Sequence, residues 1–200
     1  MKRVLFVTIV VLWMGTSAFA QSLSQADRES AIKYLENTRQ GVINATKDLS
    51  ADQWNFDPGT GQRTIAGELE HLADAEDLYF TWISQLVMKA PPRAAGEDVK
   101  PIDQMILSKV PGDKASGRDL PGPTNRFDSP EAALSHFLES RDRTIQFLKE
   151  TDGLRSHAME GPMGKKKWDA YEWILFMAAH SDQHVTQILE VKADSNFPKT

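Results

Sequence analysis

Apolar residues recur along this chain at three- and four-residue intervals in four long stretches. That spacing marks amphipathic helices that turn one face to a core. The first stretch covers about residues 23–49, with Ile32, Leu35, Val42 and Leu49 on one stripe and Arg39 and Thr46 filling its gaps. The second covers about residues 64–89, with Ile65, Leu69, Leu72, Tyr79, Ile83 and Leu86 on a stripe that Ala75, Leu78 and Trp82 widen. Thr64 suits its N-cap, Glu68 lies in the first turn where negative charge is favoured, and Pro91 and Pro92 end it. The third opens on Ser129-Pro130-Glu131, a capping serine, a proline at the first helical position and an acid in the first turn. Leu134, Phe137, Leu138, Ile145 and Leu148 follow, and Asp152-Gly153 predicts the stop. The fourth covers about residues 168–192. Trp173, Met177, His180, His184 and Val191 share a stripe, flanked by Ile174, Leu175, Ala178, Val185 and Ile188, so this helix is expected to be the most buried.

The connections carry their own signals. Pro58 and Gly59 stop regular structure after Trp54 and Phe56, which are expected to plug one end of the core. Residues 90–128 concentrate proline and glycine and predict a long connection with one short helix near residues 99–110. Residues 153–167 are polar, with a turn at Gly161-Pro162-Met163-Gly164 and a solvated basic triplet, Lys165-Lys166-Lys167. No stretch alternates long enough to predict a strand, and no repeat is evident. Four helices and one long connection predict an all-α four-helix bundle with the crossover between the second and third helices.

The first twenty residues have a different character. Lys2 and Arg3 precede an apolar run from Val4 to Met14, broken only by Thr8, and Ala18-Phe19-Ala20 follows. This is the layout of a secretory signal peptide cleaved after Ala20. The run is shorter than the roughly 20 residues of a membrane span. The expected organisation is therefore a leader at 1–20 and one domain at 21–200. The protein would be periplasmic or secreted, without membrane attachment after cleavage.

Composition narrows the chemistry. The chain has 200 residues, 40% of them hydrophobic, which is enough for one packed domain. Its formal net charge is −5, and loss of the leader with Lys2 and Arg3 makes it −7. Such a balance speaks against a nucleic-acid partner. The cysteine count is zero, which excludes disulfides, thiolate metal sites and a cysteine nucleophile. A metal would have to be held by histidines and carboxylates.

His180 and His184 are four apart, so they project from one face of the fourth helix, one turn from each other. His71 shares its face of the second helix with Ala75, Leu78 and Trp82 and is also expected to point inward. Two readings stand: core histidines satisfied by protein groups, or a three-histidine metal site with open positions. Ser181 follows His180, so the zincin pattern, which needs a glutamate there, is not met. His136 is expected at the surface and His157 in a polar loop, both outside the site. Arg141 falls on the apolar stripe of the third helix, as a stem along the core surface or as an anion clamp near the site. Asp182 and Gln183 are turned away from the histidine face, no residue stands out as a general base, and the catalytic residues stay unassigned.

The chain resembles the DinB-like (DinB/YfiT) superfamily of metal-dependent enzymes. The resemblance is carried by Tyr34-Leu35-Glu36-Asn37-Thr38-Arg39, Trp54-Asn55-Phe56-Asp57-Pro58, Glu68-Leu69-Glu70-His71-Leu72-Ala73-Asp74-Ala75-Glu76, Tyr171-Glu172-Trp173 and His180-Ser181-Asp182-Gln183-His184. It spans about residues 30–192. It implies an up-down-down-up four-helix bundle and makes His71, His180 and His184 the ligands of a divalent metal, zinc or nickel. Some relatives are thiol S-transferases that use a low-molecular-weight thiol, and dimers occur. Two functions are expected from this. One is an exported metalloenzyme, a hydrolase or thiol transferase acting on a small molecule. The other is a non-catalytic bundle that holds a metal or small ligand.

Overall fold

Each long helix begins at a cap that its own sequence supplies. The side chains of Ser24, Thr64, Ser129 and Asp169 accept hydrogen bonds from the backbone N–H groups of Asp27, Gly67, Ala132 and Glu172. These caps satisfy donors that the first helical turn leaves without intrahelical partners. The computed structural model describes residues 22–59, 61–94, 96–112, 125–163 and 165–199. Its helices are α1 (Gln25–Thr46), α2 (Ala51–Trp54), α3 (Ile65–Gln85), α4 (Lys100–Lys109), α5 (Pro130–Glu150) and α6 (Ala170–Lys192). Two short antiparallel strands, β1 (Ala158–Glu160) and β2 (Lys167–Asp169), precede α6.

The four long helices form the expected bundle. Contacts fix its directions. Tyr34 meets Asp182 and Lys192 meets Ala45, so α1 runs parallel to α6. Arg28 donates to the carbonyls of Leu148 and Thr151, while Arg141 donates to that of Leu35, so α1 is antiparallel to α5. Asp77 meets Ser140 and Phe80 meets Phe147, so α3 and α5 are parallel. Glu68 meets His184 and Tyr79 meets Phe176, so α3 is antiparallel to α6. The order is up, down, down, up, with the long crossover between α3 and α5.

The core has two apolar clusters. Leu35, Tyr79, Ile83, Leu148, Trp173 and Phe176 belong to one, Val42, Ile65, Leu69, Leu72, Phe137 and Ile188 to the other. Every long helix passes from one to the other through buried polar residues: Thr38 on α1, His71 and Glu76 on α3, Arg141 and Thr144 on α5, His180, Ser181 and His184 on α6. A polar layer therefore crosses the middle of the bundle. As expected, α6 is the most buried helix, and every residue from Ala170 to Ser181 is buried on it.

The ends differ from the sequence reading. The first helix stops at Thr46, and Ser50 opens α2 with a reciprocal bond to Gln53. Trp54 on α2 is buried and Phe56 packs on Phe197, as an end plug should. α3 ends at Gln85, followed by a tight turn at Val87–Lys89. α4 lies within the crossover, where a short helix was expected, and its Ile102 and Ile106 join the first cluster against α6. The strands are the unforeseen element: Trp168 belongs to β2 instead of opening the last helix. Three residues per strand are too few for a period-two pattern to show. The leader at 1–20 and the turns expected at 113–124 lie outside the described residues. Among the described residues, no helix is long and apolar enough to cross a membrane.

Candidate metal centre

Antiparallel packing of α3 on α6 sets His71 opposite the His180–His184 pair. The ring centroid of His71 lies 5.3 Å from that of His180 and 4.7 Å from that of His184, and the latter two are 4.3 Å apart. One ring nitrogen from each falls within 4.8 Å of the others. The three residues are 3%, 1% and 0% exposed, so solvent does not reach the rings directly. The sequence expectation that these three histidines converge is met. His157 and His136 lie elsewhere. His157 Nδ1 is 2.6 Å from the Ala90 carbonyl, beside the bridge that joins Pro92 to His157. His136 is half-buried, with Nε2 2.7 Å from Asp77 Oδ2.

Electrostatics and geometry fit a cation-binding role. Burial, reinforced by the neighbouring His184 and His71, holds the pKa of His180 well below the usual histidine range. The ring is therefore neutral at ordinary pH, the state in which imidazole is a ligand. Nε2 of His180 and Nε2 of His184 stand 3.0 Å apart. Nitrogens bound to one zinc at about 2.0–2.1 Å are separated by about 3.3 Å in tetrahedral geometry, so the pair is already spaced for a shared ion. Three imidazoles suit zinc, nickel or copper better than calcium or magnesium.

Glu68 is the site residue that the sequence reading passed over. Its Oε2 lies 2.6 Å from His184 Nδ1, and Arg63 Nη1 is 3.9 Å from the same oxygen. Glu68 occupies the first turn of α3, where an acid is explained by the helix dipole alone. The signal that could have found it is its place three residues before His71, which puts both on one face.

Neither expectation for Arg141 holds. The residue is 0% exposed, so it is no stem along the core surface. Its guanidinium does not offer itself to an external anion, because it forms an ion pair with Glu76 and donates to the Leu35 carbonyl, Thr38 Oγ1 and Ser181 Oγ. Asp182 lies away from the histidines, accepting from Tyr34 Oη at 3.3 Å. Gln183 is buried.

An all-α up-down-down-up bundle with three inward histidines on two antiparallel helices defines a class of protein. The sequence profile of the DinB superfamily matches residues 34–188, and the chain belongs to that superfamily. A solved structure is similar to it at a TM-score of 0.58 and 17% identity, over 86% of this chain and 89% of the other: YfiT from Bacillus subtilis, described as "a probable metal-dependent hydrolase with an unusual four-helix bundle topology". That likeness shows the fold. No curated protein matches the chain.

Proposed function

We propose that this protein is an exported, metal-dependent hydrolase of the DinB superfamily that acts on a small molecule. The observation that carries the reading is the convergence of His71, His180 and His184 on one buried point between α3 and α6. Three protein ligands leave coordination positions open, as catalytic sites do, whereas structural sites are closed by four. When bound, a divalent cation supplies Lewis acidity and brings the pKa of water toward neutrality. The chain's own part is to present the neutral imidazole of His180 beside those of His71 and His184, orient His184 through Glu68 and enclose the point in apolar walls built by Tyr79 and Phe176. Enclosure strengthens every electrostatic interaction inside.

Hydrolysis is favoured over thiol transfer by the leader-like residues 1–20, since a low-molecular-weight thiol is scarce outside the cytoplasm. The chain has no cysteine to supply one. The description of YfiT as "a probable metal-dependent hydrolase" supports the same choice. Zinc and nickel are the cations the donor set suits best. Metal analysis of the purified protein beside His71→Ala and His184→Ala tests the ligand set: stoichiometric zinc or nickel in the parent and its loss in both variants are expected. Metal retained in both variants defeats the assignment. A panel of esters, amides and activated thiol acceptors then separates the two reactions.

A second reading has one observation behind it. The three rings are almost fully enclosed, which also suits a cation held for stability alone. In that case chelation lowers the melting temperature sharply, while no member of the panel turns over with metal present.

A further inference from the structure

Nothing in the superfamily assignment gives Glu68 a role, yet its carboxylate stands 2.6 Å from the ring nitrogen Nδ1 of His184. A carboxylate accepts, so the proton between Glu68 Oε2 and His184 Nδ1, 2.6 Å apart, must be donated by the imidazole. We propose that Glu68 is the positioning residue of the centre, locking His184 in the Nδ1–H tautomer so that Nε2 carries the lone pair toward the point shared with His180. This deepens the three-histidine reading above and rests on it.

Three features support the assignment. The carboxylate and the imidazole are both buried, so water does not compete for either. Glu68 comes from α3 and His184 from α6, so their contact also fixes the ring's rotation across the helix interface. Thr64 caps α3 through the Gly67 N–H, which holds the first turn, and with it Glu68, in place. A consequence follows for the neighbour. With the lone pair of His184 Nε2 facing His180 Nε2 at 3.0 Å, that contact is a hydrogen bond only if His180 donates. Before any cation enters, His180 is the Nε2–H tautomer and His184 is not. Of the pair, His184 is the ligand set in advance, and His180 is the one that changes.

The test is 15N NMR of the imidazoles in the chelated and the zinc-loaded protein, with zinc affinity measured by competition against a chromophoric chelator. Glu68→Gln keeps an acceptor toward Nδ1, and Glu68→Ala removes it. The expected result is a His184 protonated at Nδ1 with and without zinc in the parent and in E68Q. His180 is expected to move its proton from Nε2 to Nδ1 when zinc is added. E68A is expected to lose the single His184 tautomer and to bind zinc about 10–100-fold more weakly, with most of that loss restored in E68Q. A merely structural glutamate would lower the melting temperature without moving the tautomer. Nδ1 unprotonated in the metal-free parent overturns the proposal, as does folded E68A with parental zinc affinity. Should E68A fail to fold, the tautomer in the parent and in E68Q still decides. If the parent binds no zinc, the three-histidine reading fails, while the metal-free tautomer tests Glu68 independently.

Discussion

Arg141 on α5 and Glu76 on α3 form an ion pair in the centre of the bundle, with Arg141 Nε 3.1 Å from Glu76 Oε1. The remaining guanidinium protons are taken by Thr38, Ser181 and the Leu35 carbonyl, so this one side chain bonds to each of the other three long helices. Burying two charges is costly, and their attraction offsets that cost only when every proton finds a partner. Removing one member leaves the other charged and enclosed. Arg141→Met is expected to lose about 3–5 kcal/mol of stability. The double variant Arg141→Met, Glu76→Met should lose clearly less than the single one. Urea unfolding of the two variants measures both. Equal losses would show that the Glu76 left behind carries no penalty of its own.

Gly161 has no room for a side chain. A Cβ built there would stand 2.3 Å from Trp168 Cδ2 and 2.4 Å from its Cγ. The ring of Trp168 is fully buried between Trp173 and Phe176, so it cannot swing away. Gly161→Ala is expected to destabilise by about 1–3 kcal/mol, in the range of overpacking. Gly112→Ala is the control, since a Cβ there meets nothing within 4 Å. Urea midpoints of the two proteins give the comparison, and near-UV circular dichroism should report the displaced indole in the first alone.

These two sites also show where sequence reading succeeds and where it stops. The four helices were legible because burial on one face repeats every three or four residues, and the caps Ser129 and Thr64 stand at the ends of those repeats. The histidine centre was legible because His180 and His184 share a helical face by spacing alone. Arg141 was misread because its partner, Glu76, lies 65 residues away on another helix. Periodicity places a side chain on a face but does not say what charge that face will meet. The same holds for Glu68, whose partner is 116 residues distant. The hairpin of β1 and β2 failed for the opposite reason, being too short to have a period.

A buried charge cluster at one end of α6 sets a pH dependence. Arg93 and Arg155 lie among Asp103, Asp169 and Glu172, with Arg93 Nη2 2.9 Å from Glu172 Oε2 and Arg155 Nη2 2.7 Å from Asp103 Oδ2. Glu97 and Lys100 stand at its edge. Burial, aided by the charge of Asp169, pushes the pKa of Glu172 up to about 8. Burial also raises that of Asp169, against the pull of Arg155. The folded protein thus holds a proton that the unfolded chain has released above its ordinary value of 4.5. Stability is greatest below that value, falls as pH rises toward 8 and levels off beyond it. For a single proton the slope reaches about 1.4 kcal/mol per pH unit. Urea midpoints between pH 5 and 9 should show this decline. Glu172→Gln, which stays neutral throughout, should flatten it.

Asp77 gives the acid side of the same curve. Burial opposes its charge, but hydrogen bonds from Arg126, Arg143, His136 and Ser140 outweigh this and hold its pKa well below the usual carboxylate range. A depressed value contributes stability above the ordinary pKa and loses it as pH falls through the folded one. Asp77 joins α3 to Arg126, where the crossover re-enters, and to His136, Ser140 and Arg143 on α5. Asp77→Asn is expected to lower stability by about 1–2 kcal/mol at pH 7, a figure reduced for its partial exposure. The difference from the parent should shrink below pH 3. A constant difference at all pH values would assign the loss to packing.

The metal itself should report through stability. A cation that binds the folded chain alone stabilises it by about 2.7 kcal/mol when present at 100 times its Kd. For a chain of this length that raises the melting temperature by about 5–10 °C. Zinc or nickel should therefore shift the parent by this amount, calcium or magnesium should not, and a chelator should reverse it. His71→Ala removes the only one of the three donors that comes from α3. The remaining pair lies on a single helix and cannot tie α6 to α3 through a shared ion. The His71→Ala variant should lose most of the shift while keeping its metal-free melting temperature within a few degrees of the parent. Equal zinc-induced shifts in the two proteins would place the bound ion somewhere other than between α3 and α6.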